Sequence, residues 1–440
     1  MNTAVLLDHF RSHGAPFAVS RAGVVGWDDA ELHRAAYADD PEGYVLLALV
    51  PGVNTEQRAR ILLQALCSSR AGMDTNTRDV LDRAMRALLF GLPPESVVTV
   101  LLATRRLRVN HKHTTRAILA FVLEHPDAQW LIAARRPALV DCFEHAVGKA
   151  TARGCARRIA EGDSDSPDLR RSLLRFTADP EIAVTRVSAL YAPGTYGVAA
   201  PTDPVAPLEP RRERPQMVTV TNRGDIAATL VHVYRGGADT ELHSALAGYV
   251  ADVTRALPRL DATVALVLDT SESMRGYGDR EWALLSQAQA LRMVLGEVCE
   301  RLIVIEIGGE QTGSTDLATG LLDALDTAPD LVAIVTDGCE NRCPGDLARV
   351  VATLPRLGIS TPIVLCQALF TGSDDRTLRD PAPALAHQGF WHQDDFATLL
   401  PWLFARTTSG REWIRTAALR FLAERAGRFA LDEQKEGAHP

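Results

Sequence analysis

The stretch Val264-Ala-Leu-Val-Leu-Asp269-Thr-Ser271-Glu-Ser273 decides the expected fold of the second half of this chain. Its five apolar residues, 264–268, are typical of a strand buried on both faces of a parallel sheet. The strand ends in one carboxylate and two hydroxyls at positions i, i+2 and i+4. Ligands of open α/β sheets bind beyond the carboxyl ends of the strands, and Mg²⁺ prefers oxygen ligands. The stretch therefore predicts half of a site for a hard divalent cation.

Two downstream stretches supply the remaining oxygen atoms. Gly313-Ser-Thr-Asp-Leu317 opens a helical run and presents the hydroxyl of its threonine. A second apolar run, 331–335, predicts another buried strand, which ends in Thr336-Asp337-Gly338. In the alternative interpretation the two serines only cap a helix and the second aspartate lies in a turn. The candidate ligands of one Mg²⁺ or Mn²⁺ ion are Asp269, Ser271, Ser273, Thr315 and Asp337.

The set D-x-S-x-S, G-S-T-D-L and a strand ending in T-D-G resembles the von Willebrand factor A (VWA) domain with its metal-ion-dependent adhesion site (MIDAS). The resemblance covers about residues 258–405. It implies a doubly wound parallel sheet whose metal is often completed by an acidic side chain of a partner. It also implies that Asp337 often reaches the metal through water. Glu272 stands where many relatives have a glycine or a neutral residue; it is either exposed or adds negative charge beside the cation.

The first half of the chain is expected to be helical from about residue 27 to 190, whereas residues 1–25 are poorly patterned. Apolar residues recur at three- and four-residue spacing, and turn signals such as Pro51-Gly52 and His125-Pro126 separate the runs. Helix after helix with short links indicates an irregular α-solenoid of the HEAT type. The predicted helices include 56–66, 77–89, 94–102, 114–123 and 139–159.

The expected fold class is therefore α plus α/β, with a HEAT-like α-helical repeat array followed by a doubly wound VWA domain. Between them, Met217–Thr221 and Ala227–Tyr234 are predicted as strands and Leu242–Leu257 as a helix. Six prolines within 191–216 favour a linker or a long surface loop. The predicted domains are 1–190 (helical repeat region), 191–257 (proline-rich linker, strands and helix), 258–405 (VWA domain) and 406–440 (C-terminal helix and tail).

Charge is distributed unevenly along the chain. Residues 70–160 contain 15 Lys/Arg and 8 Asp/Glu, a net charge of +7, whereas residues 251–440 contain 18 and 27, a net charge of −9. The densest basic run is either an RNA-binding surface that neutralises phosphates or a solvated loop between helices. No cluster of base-stacking aromatic residues accompanies it. The candidate RNA-binding residues are Arg105, Arg106, Arg108, Lys112 and Arg116.

The order of a helical array and a metal-site A domain resembles the Ro (TROVE) family of ring-shaped RNA-binding proteins. It also resembles A-domain adaptors that work with MoxR-type AAA+ ATPases. The first resemblance implies RNA as the partner of the array, and the second implies an acidic protein ligand held through the metal. A plain protein-binding scaffold is a third alternative. No P-loop, G-x-S-x-G, H-E-x-x-H or kinase motif set occurs, so a non-catalytic binding protein is expected.

The sequence also predicts a cytoplasmic protein. It contains no apolar run of about 18 residues, and its N-terminus lacks the pattern of a signal peptide. Seven scattered cysteines favour reduced thiols over a disulfide framework. Cys339 and Cys343 are not expected to bind zinc, because no second Cys or His pair stands at finger spacing.

Overall fold

The computed structural model describes residues 2–16, 18–19, 25–193, 199, 201–209, 225–237, 240–309, 313–374 and 379–436, with side chains omitted for 427–436. The chain divides into two units. Residues 1–210 with 421–440 form the helical unit, and residues 211–420 form the α/β unit. The predicted domain limits at 190, 257 and 405 do not coincide with this division. Within the described residues, no helix is long and apolar enough to cross a membrane.

The predicted helical array is confirmed. Seven of the eleven helices described in this part of the chain begin with a side-chain cap or a proline, as the sequence favours. Asn54 accepts a hydrogen bond from the Glu56 N–H at 2.9 Å, and Asp74 accepts one from the Thr77 N–H at 2.9 Å. The helices of the first 209 residues are α1 (Thr3–Ser12), α2 (Ala30–Asp39), α3 (Pro41–Leu47), α4 (Thr55–Cys67), α5 (Thr75–Gly91), α6 (Pro94–Arg106), α7 (Lys112–Glu124), α8 (Ala128–Val147), α9 (Lys149–Ala160), α10 (Pro167–Ser172) and α11 (Pro180–Tyr191). A short antiparallel hairpin, β1 (Ala18–Val19) and β2 (Val25–Gly26), lies between α1 and α2.

Two details of the helical unit differ from the sequence prediction. Residues 3–12 form α1, although no helix was predicted there. The single helix predicted over 139–159 is wrong, because Gly148 adopts a φ of +89° and separates α8 from α9. A residue without a Cβ adopts that backbone conformation without steric cost, so the glycine ends one helix and starts the next.

The α/β unit contains one five-stranded parallel sheet, which confirms the predicted fold class. The strands are β3 (Leu260–Asp269), β4 (Cys299–Ile307), β5 (Leu331–Thr336), β6 (Ile363–Ala368) and β7 (Ala386–Phe390). All six residues of β5 are buried, as expected of a strand covered on both faces. The helices are α12 (Ile226–His232), α13 (Thr240–Thr254), α14 (Glu272–Arg275), α15 (Ala283–Val298), α16 (Leu317–Asp326), α17 (Asp346–Thr353), α18 (Phe396–Phe404) and α19 (Gly410–Glu436). From Phe421 onwards α19 is grouped with the helical unit.

The strand order of this sheet is β4-β3-β5-β6-β7. After β3 the chain moves to one side to form β4, and it then returns to the other side of β3 to form β5. The direction of winding therefore reverses between β3 and β5. Open α/β sheets bind their ligands at the carboxyl ends of strands at such a switch point. The two predicted carboxylate ligands, Asp269 and Asp337, lie at the carboxyl ends of these two strands.

The segment that joins the two predicted domains differs from the prediction. The strand predicted over Ala227–Tyr234 is wrong, because residues 226–232 form the helix α12. Asp225 caps this helix through a 2.9 Å hydrogen bond from the Ala228 N–H, and its other carboxylate oxygen lies 2.9 Å from Nε2 of His392. Tertiary partners thus stabilise a helix in a run of β-favouring residues. The strand predicted over Met217–Thr221 lies outside the described residues.

Part of the predicted proline-rich linker packs against the helical unit. Within the described residues 201–209, the N–H of Ala206 donates to the Phe90 carbonyl at 3.0 Å, and Leu208 is buried. The Glu209 carboxylate accepts a hydrogen bond from the Gly52 N–H at 3.0 Å. The described part of this segment forms neither helix nor strand, as predicted, but its backbone is fixed by contacts with residues that lie far away in the sequence.

Candidate metal centre

Asp269 ends β3 with its side chain completely buried. Its Oδ2 accepts a hydrogen bond from the Thr336 hydroxyl at 2.7 Å, and its Oδ1 accepts one from the Ser271 N–H at 3.0 Å. The first bond crosses the switch point between β3 and β5. The parallel register of β3 and β5, in which Leu268 pairs with Val335, places Thr336 beside Asp269. The sheet therefore fixes the orientation of this carboxylate.

The two serines connect Asp269 to the second carboxylate. The hydroxyls of Ser271 and Ser273 lie 3.1 Å apart, and the Ser273 hydroxyl donates to Oδ1 of Asp337 at 3.4 Å. Ser271 occupies the N-cap position of α14, but its side chain makes no capping hydrogen bond. Asp337 is buried and also accepts the Cys339 N–H at 3.0 Å. Two carboxylates and two hydroxyls are thus in contact at one end of the sheet.

Thr315 comes from the loop that follows β4. Its N–H donates to Oδ1 of Asn341 at 2.6 Å, which holds it against the loop after β5. Its hydroxyl oxygen is buried and has no hydrogen-bond partner among the described residues. A buried hydroxyl without a partner is costly. This loop therefore contains one buried oxygen atom whose hydrogen-bonding capacity is unused among the described residues.

Gly308 lets the loop after β4 approach the loop after β3. Its φ is +93°, and a Cβ on this residue would lie 2.7 Å from the Ser271 nitrogen. The Thr270 N–H donates to the Ile307 carbonyl at 2.9 Å, and the Gly313 N–H donates to the Gly308 carbonyl at 2.7 Å. These backbone contacts bring the loop that contains Thr315 onto the loop that contains the serines. A residue with a side chain at position 308 would separate them.

The electrostatics of the site favour a cation. Burial raises the pKa of Asp269, the hydrogen bonds from Thr336 and Ser271 oppose the increase, and the negative charge of Asp337 adds to it. A bound cation would stabilise both carboxylates in their ionised form. Burial, followed by the charge of Asp337, raises the pKa of the Cys339 thiol to about 11. Without a bound metal ion, the thiol is therefore protonated at neutral pH.

Arg379 is part of this site and was not predicted from the sequence. Its Nη1 lies 3.2 Å from Oδ2 of Asp337, and its side chain is 51% exposed. The close packing of Gly338 against the Arg379 carbonyl, where a Cβ would lie 2.2 Å from that oxygen, brings this segment to the strand end. Nothing in the local sequence around Arg379 indicates the contact, because the residue lies 42 positions downstream of Asp337.

The remaining sequence predictions fall at definite places in the structure. Glu272 is exposed on α14. In the helical unit, Arg105 pairs with Asp141 at 3.2 Å. The other four candidates of the basic run lie at the end of α6, in the following loop and on the first two turns of α7. All four are exposed and make no ion pair within the described residues: Arg106, Arg108, Lys112 and Arg116.

A hard divalent cation fits the donor set of the α/β unit. The set comprises two carboxylates and three hydroxyls, and Mg²⁺ and Mn²⁺ take such oxygen ligands in octahedral geometry. Five donors leave one position for water or for a ligand from outside the chain. The guanidinium of Arg379 already contacts one of the carboxylates, so it competes with a cation for that oxygen.

Comparisons with known proteins give little information about this chain. No family model matches the sequence. No curated protein matches it either. Among solved structures, the chain is similar to the crystal structure of the Deinococcus radiodurans RO (RSR) protein, with 10% sequence identity and a TM-score of 0.37. The match covers 96% of this chain and 99% of that one. Neither a family nor a function follows from a likeness of that size.

Proposed function

We propose that this chain is a non-catalytic binding protein whose α/β unit holds Mg²⁺ or Mn²⁺ and uses it to bind an acidic group of a protein partner. Asp269, Ser271, Ser273, Thr315 and Asp337 would hold the ion. The carrying observation is the buried Thr315 hydroxyl, which lacks a hydrogen-bond partner among the described residues and belongs to a loop that is hydrogen-bonded to Asn341, four residues after Asp337. The order of the three sequence motifs and their resemblance to a VWA domain with a MIDAS support the same proposal.

The partner is inferred from the open coordination position. A divalent cation with one position free at the edge of a sheet favours an oxygen anion. A carboxylate of a second protein meets this requirement, and the resemblance to adaptors of AAA+ ATPases is consistent with it. The chain supplies no nucleophile, general base or phosphate loop of a recognised catalytic set. Binding without turnover is therefore the proposed activity.

Calorimetric titration with Mg²⁺ tests the site. We expect wild type to bind one ion with modest affinity, because Mg²⁺ gives up its water reluctantly. Asp269→Ala should abolish binding. Glu272→Gln is the matched control, because it removes an exposed carboxylate from the same loop. Equal binding by wild type and Asp269→Ala would show that the five residues do not form the metal site.

A second candidate function is RNA binding by the helical unit. It is favoured by the four exposed basic side chains around the loop between α6 and α7. Phosphate contacts release counterions, so the affinity should fall steeply with salt and should not depend on chelator. A metal-bridged carboxylate should show the reverse, with loss of binding in chelator and in Asp269→Ala. A pull-down from lysate at low and high salt, with and without chelator, separates the two functions.

The contribution of these four side chains to RNA binding is measured by replacing all of them with glutamine: Arg106, Arg108, Lys112 and Arg116. If RNA binds there, the slope of log affinity against log salt should become shallower by about one for each phosphate that the variant no longer neutralises. Arg170→Gln is the control, because this exposed arginine of the same unit is paired with Asp165 at 2.6 Å. An unchanged salt dependence in the fourfold variant would exclude this loop as the RNA site.

The absence of catalysis is tested by incubating the protein with RNA, nucleotides and phosphoesters in the presence of Mg²⁺. We expect all three classes of compound to remain unaltered. Turnover by wild type that disappears in Asp337→Ala would contradict the proposal, because it would assign chemistry to the metal site.

A further inference from the structure

A second polar cluster lies in the helical unit, and nothing in the predicted function uses it. Its members come from α1 and the residue that ends it, and from α2 and the two residues that precede it. Two pairs at i, i+4 spacing bring them together: His9 with His13, and Asp29 with His33. We call the set the nitrogen-rich cluster; it consists of His9, His13, Asp28, Asp29 and His33.

Three imidazoles converge on one carboxylate oxygen. Oδ2 of Asp29 lies 2.8 Å from Nε2 of His9, 3.3 Å from Nε2 of His33 and 3.8 Å from Nε2 of His13. Zinc binds imidazole nitrogen and carboxylate oxygen at about 2.0–2.2 Å in tetrahedral geometry. Donor atoms on such a tetrahedron are about 3.3 Å apart. The donor atoms of His9, His33 and Asp29 all lie within 4.8 Å of one another, whereas His13 belongs to a second group with Asp28 and Asp29. The distances of 2.8 and 3.3 Å therefore suit a site formed by the first three residues.

The position of His33 is fixed by its surroundings. Its ring is completely buried and stacks on Phe10 and on Trp27, with centroid distances of 5.3 and 5.1 Å. Its second nitrogen, Nδ1, lies 2.6 Å from the Tyr44 hydroxyl. Metal-bound histidines generally use the second ring nitrogen for a hydrogen bond of this kind, which orients the ring. The ring is therefore held in place, but its Nε2 also lies 2.9 Å from Oε1 of Gln57, and an ion bound at this nitrogen would replace that hydrogen bond.

Asp29 supplies an independent indication of a missing ligand. Its side chain is only 8% exposed, and its Oδ1 is buried without a hydrogen-bond partner among the described residues. Its Oδ2 also contacts Nε2 of Gln57 at 2.9 Å and Nη1 of the buried Arg60 at 2.6 Å. Carboxylates that bind metals are commonly hydrogen-bonded in this way by outer groups. Oδ2 thus already has nitrogen partners, which an ion bound at this carboxylate would partly replace, whereas Oδ1 has none among the described residues.

The charge of Arg60 does not exclude a cation. Asp28 lies 3.2 Å from Arg60 and 3.0 Å from His13, so the cluster contains two carboxylates and one guanidinium. With neutral imidazoles the sum of the charges is −1. Zinc sites with three neutral histidines alone carry a charge of +2 and are stable. A divalent ion in this cluster would leave a total of +1.

From these contacts we propose that His9, His33 and Asp29 bind a zinc-type transition-metal ion, with water in the fourth position. Imidazole nitrogen suits zinc and its neighbours in the first transition row, whereas Mg²⁺ prefers oxygen alone. The side chains of His9 and His13 are 27% and 28% exposed, so an ion can reach the site from solvent. The alternative is a network of ion pairs that holds α1 to α2 without a metal.

Calorimetric titration of the full chain with Zn²⁺ in saturating Mg²⁺ tests the proposal, because Mg²⁺ occupies the oxygen site of the α/β unit. We expect one Zn²⁺ ion per chain. His9→Ala should weaken zinc binding by at least roughly tenfold, whereas His13→Ala, which removes a member of the other group, should weaken it less. Both residues are partly exposed, and circular dichroism of the variants checks that they fold. His145→Ala is the control, because this partly buried histidine of the same unit contacts the Val109 carbonyl instead.

Two outcomes would overturn the proposal. Wild type that binds no zinc would assign the cluster to an ion-pair network, in which case His9→Ala lowers the thermal stability equally with and without zinc. Zinc binding of equal strength in wild type and His9→Ala would place the ion elsewhere. Cobalt binding provides a second readout, since Co²⁺ in a tetrahedral nitrogen and oxygen site should give visible absorption that His9→Ala loses.

Discussion

The helical unit and the α/β unit each bury a carboxylate, but they surround it with different chemistry. Asp29 of the helical unit is approached by imidazole and guanidinium nitrogens, including Nη1 of Arg60 at 2.6 Å. Asp269 of the α/β unit is approached by a hydroxyl and a backbone N–H, and its nearest carboxylate neighbour is Asp337. The first carboxylate has a buried cationic partner from its own chain, whereas the second has none in contact among the described residues.

This difference indicates what each cluster is suited to bind. Oxygen donors with unbalanced negative charge favour a hard cation such as Mg²⁺, and imidazole donors favour a zinc-type ion. It also indicates how each unit should respond to mutation. Removing a buried partner leaves an uncompensated charge in the helical unit. Removing Arg379, the half-exposed partner of Asp337 in the α/β unit, alters mainly the affinity of that unit for an ion.

The largest expected effect comes from Arg60, which is completely buried. Arg60→Met should lower the free energy of unfolding by about 3 kcal/mol or more, because it leaves a buried carboxylate without its cation. Arg379→Met should lower it by about 0.5 kcal/mol or less, because the guanidinium is 51% exposed and screened by solvent. Urea unfolding in chelator measures both. Effects of equal size would mean that Asp29, the partner of Arg60, and Asp337, the partner of Arg379, are neutralised in the same way.

The next effect comes from the close approach of Gly308 to Ser271 at the candidate metal centre of the α/β unit. Gly308→Ala should lower the stability of the α/β unit by about 2 kcal/mol and weaken Mg²⁺ binding, since the added Cβ meets Ser271 and the positive φ is strained. Gly309→Ala is the matched control. Its φ is also positive, at +46°, but a Cβ there meets no atom within 4 Å. If Gly309→Ala retains the Mg²⁺ affinity of wild type, the loss in Gly308→Ala is caused by the contact with Ser271 and not by φ strain.

The helical unit should also lose stability in acid through His125, which is 1% exposed. Burial lowers the pKa of this histidine to about 4, and its Nδ1 accepts the Asp127 N–H at 3.1 Å. The unfolded chain, with a histidine pKa near 6.5, therefore binds the proton first. The contribution is complete above about pH 6.5 and falls by about 1.4 kcal/mol per pH unit as the pH decreases towards 4.

His125→Asn isolates this effect, because the amide oxygen replaces the acceptor nitrogen but does not titrate. Unfolding free energies of wild type and variant should converge as the pH is lowered from 7 to 5. If the difference between them stays constant over this range, the stability of the helical unit does not depend on protonation of His125.

The smallest expected effect concerns Mg²⁺ affinity at the α/β site. Arg379→Ala should raise the affinity by about two- to fivefold, which corresponds to the 0.5–1 kcal/mol of a partly exposed charge interaction. Arg342→Ala should leave it unchanged, because that exposed arginine pairs with Asp316 at 3.5 Å instead. Weaker Mg²⁺ binding in Arg379→Ala would show that the guanidinium supports the ion rather than competing with it.

Much of the α/β unit could be predicted because its signals are local. The apolar runs 264–268 and 331–335 identify the two strands at the switch point, and the polar residues that follow them identify four of the candidate ligands. Parallel strands bring their carboxyl ends to one edge, so sequence order alone implies that Asp269 and Asp337 meet there. The strand predicted over 227–234 failed because the helix there depends on the distant contacts of Asp225 with His392.

The sequence by itself therefore determined the fold class, the sheet of the α/β unit and the oxygen donors at its edge. These follow from periodicity and from residues a few positions apart. Only the tertiary structure revealed the contact of Arg379 with Asp337, the missing partner of Thr315 and the convergence of three histidines on Asp29. Each depends on the packing of separate segments, and the angle and depth of that packing are set by the whole core and leave no local pattern in the sequence.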